Sequence, residues 1–440
     1  MSTPRTLTLP DGVTRVDVAT SRGSFAALTA GPVDAAAPVV VLVPGWTGSK
    51  EDFATLLPEL AASGRRVVAF DQRGQFETPG DDDESSYAMG ELAADLGAVC
   101  CAVSPVAVDL VGHSFGGLVA ARAVIDDPSQ VNSLVMLCSG PGALPADRHG
   151  DLHRLVQALS SSGPEATWQA MRERERLSGV TMPPAEVEAW LRQRFLQTHP
   201  VALAAKTRHL TSAEDCRTEL RERPTPVLVM AGEHDDGWPV QVQADMAALI
   251  GATLVVLAGL GHSPAVEDPA ATAEHLVRFW DSWTPGADDT WLTLTEASSE
   301  VTRARHLVRD RYERLLPPER LYQAELLTSE LVTNALVHAQ PPATLHAALR
   351  GGNLLVVVSD SGGGSVIEPR ANHGRGLPIV AAFAQRFGAW THADGTSAWF
   401  WLPVDHASEP ELPSTTGDGS SAAQGRAGGP ISIPAGHDSR

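Results

Sequence analysis

Apolar runs ending in turns frame the first two thirds of the chain. Residues 39–43 read as a buried strand, and 66–70, 106–110, 134–137, 226–230 and 252–257 as further apolar, strand-like runs. Between them the apolar spacing turns helical, over 52–62, 86–99, the stretch opening at Leu118, 240–250 and 270–283. Strands alternating with helices predict βαβ units and a mostly parallel sheet. Two alternating runs ahead of them, Val13 to Val18 and Phe25 to Leu28, predict an antiparallel edge hairpin. From Gly140 to about Arg223 the strand-like runs stop. That region is helical and charged, with Trp168, Met171, Trp190, Leu191 and Phe195 set among Arg and Glu. It reads as a helical cap inserted into the sheet, its aromatics most simply core.

The pattern changes after a polar Pro/Gly stretch at 284–289. Val301, Ala304, Val308, Tyr312 and Leu315 recur at helical spacing, and Pro317-Pro318 ends that helix. A second helix is expected over 319–338, then strands at 343–349 and 353–358, a helix, and two last strands containing Trp399-Phe400-Trp401. The reading therefore divides the chain into 1–284, a linker at 285–292, a second domain at 293–405, and a Ser-, Gly- and Pro-rich disordered tail at 406–440. No internal repeat is seen.

Composition narrows the function. A chain of 440 residues, 43% hydrophobic, exceeds one compact core. Its 53 acidic against 33 basic residues give a net charge of −20, and no basic tract interrupts them, so direct nucleic-acid binding is not expected. No apolar segment is long enough to span a bilayer, and the N-terminus lacks a signal-like run; the expectation is a cytoplasmic protein with no membrane partner. Cys100, Cys101, Cys138 and Cys216 show no metal-like spacing, and the adjacent pair reads as small core residues.

The chemistry concentrates first at Gly112-His113-Ser114-Phe115-Gly116-Gly117, between a strand and a helix. A serine on a Gly-flanked strand-to-helix turn is the signature of a nucleophile elbow. Asp235 and His262 follow, each just beyond a later strand, in the chain order Ser, Asp, His. With Asp71-Gln72-Arg73-Gly74 and Gly261-His262-Ser263-Pro264, residues 38–284 resemble the capped α/β-hydrolases of esterase and peroxidase type. That resemblance implies Ser114 as nucleophile, His262 as its base and Asp235 as the acid orienting the imidazole. The backbone amides of Trp46 and Phe115 would form the oxyanion hole. Asp236 is the alternative acid, although family spacing favours Asp235; His113 reads as a residue packed beneath the turn, His234 as a surface residue, and Asp71 and Arg73 as braces of their loop. No cofactor is implied here. The substrate class stays open among ester, thioester and lactone hydrolysis, carbon–carbon hydrolysis and perhydrolysis.

Three further boxes lie downstream. Glu330 and Asn334 are spaced i, i+4 and share a helix face. Asp360 ends a strand before Gly362-Gly363-Gly364, and Gly374-Arg375-Gly376 precedes a helix. Together they resemble the ATP-binding fold shared by gyrase, Hsp90 and histidine kinases, and most closely the anti-sigma-type serine kinases, over roughly 293–404. The resemblance implies ATP and Mg²⁺, with Asn334 as the metal ligand, Glu330 acting on the attacking hydroxyl, Asp360 on the adenine, and Gly362, Gly374 and Gly376 along the phosphates. One departure is plain: Thr396 follows Gly395 where family members usually carry lysine.

The fold class expected is thus α/β: a mostly parallel α/β-hydrolase sheet with a helical cap at about 140–223, then an α+β two-layer sandwich of the histidine-kinase-like ATPase type. The function expected is a serine hydrolase of a small acyl substrate fused to an ATP-binding kinase-like domain. Its alternative is a signalling regulator whose hydrolase fold senses a small molecule while the ATP-binding domain controls an anti-sigma antagonist or sigma factor.

Overall fold

The first half is built on eight strands: β1 (Thr14–Thr20), β2 (Gly23–Ala30), β3 (Val39–Val43), β4 (Arg66–Phe70), β5 (Val108–His113), β6 (Val131–Leu137), β7 (Val227–Gly232) and β8 (Thr253–Leu257). They lie in the order β1-β2-β4-β3-β5-β6-β7-β8. The first pairings, β1 with β2 and β2 with β4, are antiparallel, and every pairing from β4 through β3 to β8 is parallel. This computed structural model describes residues 2–34, 36–179, 181–283, 289–295, 299–338, 342–360, 376–392 and 395–404.

The near-continuous apolar strands are explained by helices on both faces. Along β3, Val41 and Val43 face one cluster with Leu92, Leu96, Leu118 and Val124, while Val40 and Leu42 face another with Leu57, Leu60, Leu276 and Trp280. A strand buried on both sides needs apolar residues at every position rather than at alternate ones.

The insertion after β6 is helical, as its pattern implies: Ala146–Leu177, Ala185–Gln197, Pro200–Ser212 and Arg217–Arg221. The first of these bends at Gly163, whose φ is 79°, just before Pro164. Leu155, Leu159, Trp168, Leu191 and Phe195 form the insertion's own core. Two buried basic groups tie it to the loops beyond the strands: Arg194 Nη1 donates to Asp52 Oδ1 at 2.7 Å, and Lys206 Nζ to the Arg73 carbonyl at 3.2 Å. Complete burial drags the Lys206 ammonium down to about 7.

The second sheet has five strands, β9 (Thr290–Leu294), β10 (Ala343–Arg350), β11 (Asn353–Asp360), β12 (Arg386–His392) and β13 (Gly395–Pro403), all antiparallel in the order β12-β13-β11-β10-β9. The helices Ser299–Tyr312, Pro318–His338 and Gly376–Phe383 belong to this half; Ala304, Val308, Leu327, Leu331 and Val380 pack against Leu345, Val356 and Phe400. The other face turns to the first half, within a single unit spanning 1–405. Arg386 donates to the carbonyls of Arg221 and Arg223 at 3.2 and 2.8 Å, Trp399 Nε1 to the Glu222 carbonyl at 3.2 Å, and the Gly351 amide to Ser282 O at 3.0 Å. Trp401 meets Trp283 with ring centroids 4.8 Å apart.

Three expectations change. The segment at 52–62 is not one helix but a short 3₁₀ turn, Lys50–Phe53, followed by the helix Leu56–Ala61. Thr290–Leu292, expected in the linker 285–292, belong to β9: the alternation Thr-Trp-Leu-Thr-Leu buries Leu292 and Leu294 and pairs with β10. Of the adjacent cysteines only Cys100 is core; Cys101 is exposed. The tail expected at 406–440 lies outside the described residues. No described helix is long and apolar enough to cross a membrane.

Candidate functional site

Ser114 stands between β5 and the helix Phe115–Asp126 with φ 54° and ψ −122°, one of three non-glycine residues found at positive φ among those described. That conformation costs a non-glycine residue energy and recurs where the side chain must be thrust out of the chain. The small neighbours make the turn feasible. A Cβ on Gly116 would stand 2.3 Å from the Val43 carbonyl oxygen, so only hydrogen fits where the elbow helix crosses the end of β3. A Cβ on Gly45 would stand 3.2 Å from the Ser114 Cβ, which places the loop after β3 directly against the serine.

The three residues spread over 149 positions of sequence meet here. His262 Nε2 lies 2.9 Å from Ser114 Oγ, and His262 Nδ1 lies 2.6 Å from Asp235 Oδ1. The Asp235 side chain is fully buried while the imidazole is 27% exposed. Asp235 is held in turn: the Gly237 amide donates to Oδ1 at 2.8 Å, and Gln243 Nε2 donates to Oδ2 at 2.7 Å and to the Trp238 carbonyl at 2.8 Å. A carboxylate this constrained fixes the tautomer of its histidine, leaving Nε2 as the acceptor that faces the serine hydroxyl. Asp236 points elsewhere, 78% exposed and 3.6 Å from Arg148. His234 is exposed.

His113 is buried beneath the elbow, with Nε2 2.6 Å from the His262 carbonyl oxygen. Burial, with the neighbouring His262, pushes its imidazole down to about 3, so the ring is neutral and donates Nε2–H to that carbonyl. The loop after β3 is anchored by two amides. Gln72 Nε2 donates to the Pro44 carbonyl at 2.8 Å and Gln75 Nε2 to the Gly45 carbonyl at 2.7 Å. Because a trans peptide points its C=O and N–H in opposite directions, fixing Gly45 C=O also fixes the direction of the Trp46 N–H. Phe115 is the first residue of its helix, so its N–H has no partner within that helix. Asp71 and Arg73 brace the same region: Asp71 accepts from Lys50 Nζ at 2.7 Å and from the Lys50 amide at 2.8 Å, and Arg73 grips Asp95 through Nε at 2.7 Å and Nη2 at 2.6 Å.

Gln243, Gln75, Lys50 and Cys138 escape sequence reading. Only Gln75 sits close to a motif; Gln243 and Lys50 act through tertiary contacts that no local spacing announces. The thiol of Cys138 shares a cluster with Asp235 and His262, their ligand atoms all within 4.8 Å. Burial and the Asp235 charge hold that thiol well above its ordinary range, so it is protonated and poorly suited to a metal.

In the second half, Glu330 and Asn334 are both partly buried on the helix Pro318–His338. Asp360 closes β11, nine-tenths buried, and its Oδ1 accepts from the Thr396 amide at 3.4 Å. Gly376 opens the helix Gly376–Phe383, while Gly362 and Gly374 lie outside the described residues. The carboxylate at a strand end and the amide-bearing helix both suit a nucleotide with its cation.

A capped, mostly parallel sheet carrying Ser, His and Asp at the ends of β5, β8 and β7 defines the class. The chain belongs to the alpha/beta hydrolase family, whose pattern matches residues 40–275, and residues 294–401 match the histidine kinase-like ATPase domain. RutD of Variovorax paradoxus, provisionally named a carbamate hydrolase, is 37% identical over 107 residues, 24% of this chain and 39% of that protein. The sn-1-specific diacylglycerol lipase ABHD11 of Mus musculus is 30% identical over 179 residues, 39% of this chain and 54% of its own length. The chain thus spans between 39% and 54% of these two relatives. An esterase from Exiguobacterium antarcticum (TM-score 0.52, 19% identity) covers 61% of this chain and all of its own; the enol-lactonase from Burkholderia xenovorans LB400 (TM-score 0.51, 19% identity) covers 60% and all of its own. These structures share the fold.

Proposed function

We infer that the first half is a serine hydrolase of an ester, thioester or lactone. The observation that carries this reading is the continuous Ser114 Oγ–His262 Nε2–Nδ1–Asp235 Oδ1 chain at 2.9 and 2.6 Å. His262 Nε2 takes the hydroxyl proton as Ser114 Oγ attacks the acyl carbon, and Asp235 stabilises the imidazolium that results. The oxyanion that forms is met by the amides of Phe115 and Trp46. Collapse expels the alcohol, thiol or ring oxygen, protonated by His262, and water, deprotonated by the same nitrogen, releases the acid. The provisional name of the relative above points to a carbamate, which differs at the acyl carbon only by its nitrogen. The reading is tested by hydrolysis of a panel of p-nitrophenyl esters, thioesters and lactones: turnover is expected in the native chain and loss of at least about 10³-fold in Ser114→Ala. Equal turnover in the two would defeat it.

The second half binds ATP in this reading. Asn334 would hold Mg²⁺ through its amide oxygen, Asp360 the adenine amino group, and Glu330 would orient or deprotonate a protein hydroxyl; bound ATP supplies the transferable phosphoryl group. A regulatory role, in which a ligand of the hydrolase half alters the grip of the ATPase half on an anti-sigma antagonist or sigma factor, is supported by Arg386. It follows the helix Gly376–Phe383 and hydrogen-bonds the carbonyls leading into β7, the strand that presents Asp235. Loss of ATP binding in Asn334→Ala tests the nucleotide assignment.

A further inference from the structure

A cavity of about 480 Å³ lies at the seam of the two sheets, away from Ser114. Its walls take five of the chain's ten tryptophans: Trp280, Trp283, Trp291, Trp390 and Trp401. Two come from the last hydrolase helix and three from strands of the second sheet. Trp291 is 68% exposed and stacks on His346, ring centroids 3.9 Å apart and planes 14° from parallel, so it forms a flat lip at the mouth. Domain seams are preferred places for small-molecule sites, and this volume falls within the usual range of about 300–1,000 Å³.

One polar group in the wall is conspicuous. Asp109, second residue of β5, is only 8% exposed. Among the described residues a single group, Ser133 Oγ, is seen to donate to it, at 2.7 Å. A carboxylate offers about four acceptor sites, so most of its capacity remains. Burial raises this carboxyl to about 6, which leaves it an acceptor at neutral pH. Asp109 and Ser114 lie on the same strand and its following turn, five residues apart, or roughly 16 Å at the rise of a strand. The two sites therefore occupy opposite ends of β5.

We propose that this seam cavity binds a flat, uncharged aromatic molecule of two or three fused rings that carries an O–H or N–H group for Asp109. Indole faces select a planar ring system. The donor is needed because a ligand without one buries the carboxylate without a partner. Charge is disfavoured because the same wall holds Arg65, paired with Asp281, and Arg350, paired with Asp289, alongside Asp109. The site is independent of the acyl chemistry at Ser114.

Titration of the full chain with 2-naphthol, read by tryptophan quenching and by calorimetry, tests it. Saturable one-to-one binding is expected. 2-Methoxynaphthalene, the same rings without the donor, should bind at least tenfold more weakly. Asp109→Leu should erase that preference, and Trp291→Ala, at an exposed position that leaves the fold alone, should weaken 2-naphthol at least threefold. No saturable binding, equal affinity for the two naphthalenes, or unchanged affinity in Trp291→Ala would overturn the proposal.

Discussion

The ring of His113 donates Nε2–H to the backbone carbonyl of His262, 2.6 Å away, from directly beneath the elbow that carries Ser114. The strand that supplies the serine thus also sets the height of the histidine. His113→Phe keeps the apolar volume but deletes the bond. Loss of one such bond is about 1 kcal/mol, so kcat is expected to fall roughly five- to tenfold. Steady-state kinetics should show the loss in kcat with KM little changed; a change confined to KM would contradict the assignment.

Gln243 holds the far oxygen of Asp235 and is itself fully buried. Gln243→Leu leaves a buried carboxylate oxygen without its donor, at about 1–3 kcal/mol. Activity is expected to drop tenfold or more, and thermal unfolding to move down. Gln243→Glu, which replaces the donor by a like charge, should be worse than leucine, an ordering that a purely volumetric role would not produce.

Much of this was legible in the chain, and the reasons for what was not are physical. The alternation of apolar runs and helical periods disclosed the doubly covered sheet, because strands buried on both faces are apolar at nearly every position, Asp109 and Ser133 being exceptions that pair with each other. Ser114, Asp235 and His262 were legible because each follows a strand and their order is a topological property. Gln243 was invisible because its partner is eight residues away on a loop and nothing in its helix distinguishes it from a surface glutamine. β9 was missed because Thr290–Leu294 follows a Pro- and Gly-containing stretch of sequence and shows only two buried positions. The packing of Trp399 and Trp401 against the hydrolase half was hidden too: β13 alternates between two apolar faces, and composition cannot say that the second is covered.

Asp109 sets a pH dependence. Its carboxyl is raised in the folded chain to about 6, against an ordinary value near 3.8, because burial penalises the charge. Between those values the folded state holds a proton that the unfolded state releases, so this carboxyl opposes folding increasingly as pH rises from about 4 through 6. Asp109→Asn removes the effect. The variant should come close to the native chain at pH 4 and exceed it at pH 7 by about 3 kcal/mol. Denaturant melts across that window read the difference directly.

Arg386 is the principal polar tie between the halves, its guanidinium flanked by Trp399 and Trp401 and pushed down to about 10 by burial. Arg386→Met removes the donor to the carbonyls of Arg221 and Arg223, at about 1 kcal/mol for each bond lost. Calorimetry should resolve two unfolding transitions where the native chain gives one. A single transition at the native temperature would mean that the tie does not couple the halves.

The central claim, that Ser114 is a nucleophile activated by His262, is tested most directly by a fluorophosphonate probe followed by peptide mass spectrometry. One phosphonyl group on the peptide containing Ser114 is expected, with labelling lost in His262→Ala. An unlabelled Ser114 in the folded chain, or labelling that survives without His262, would contradict it.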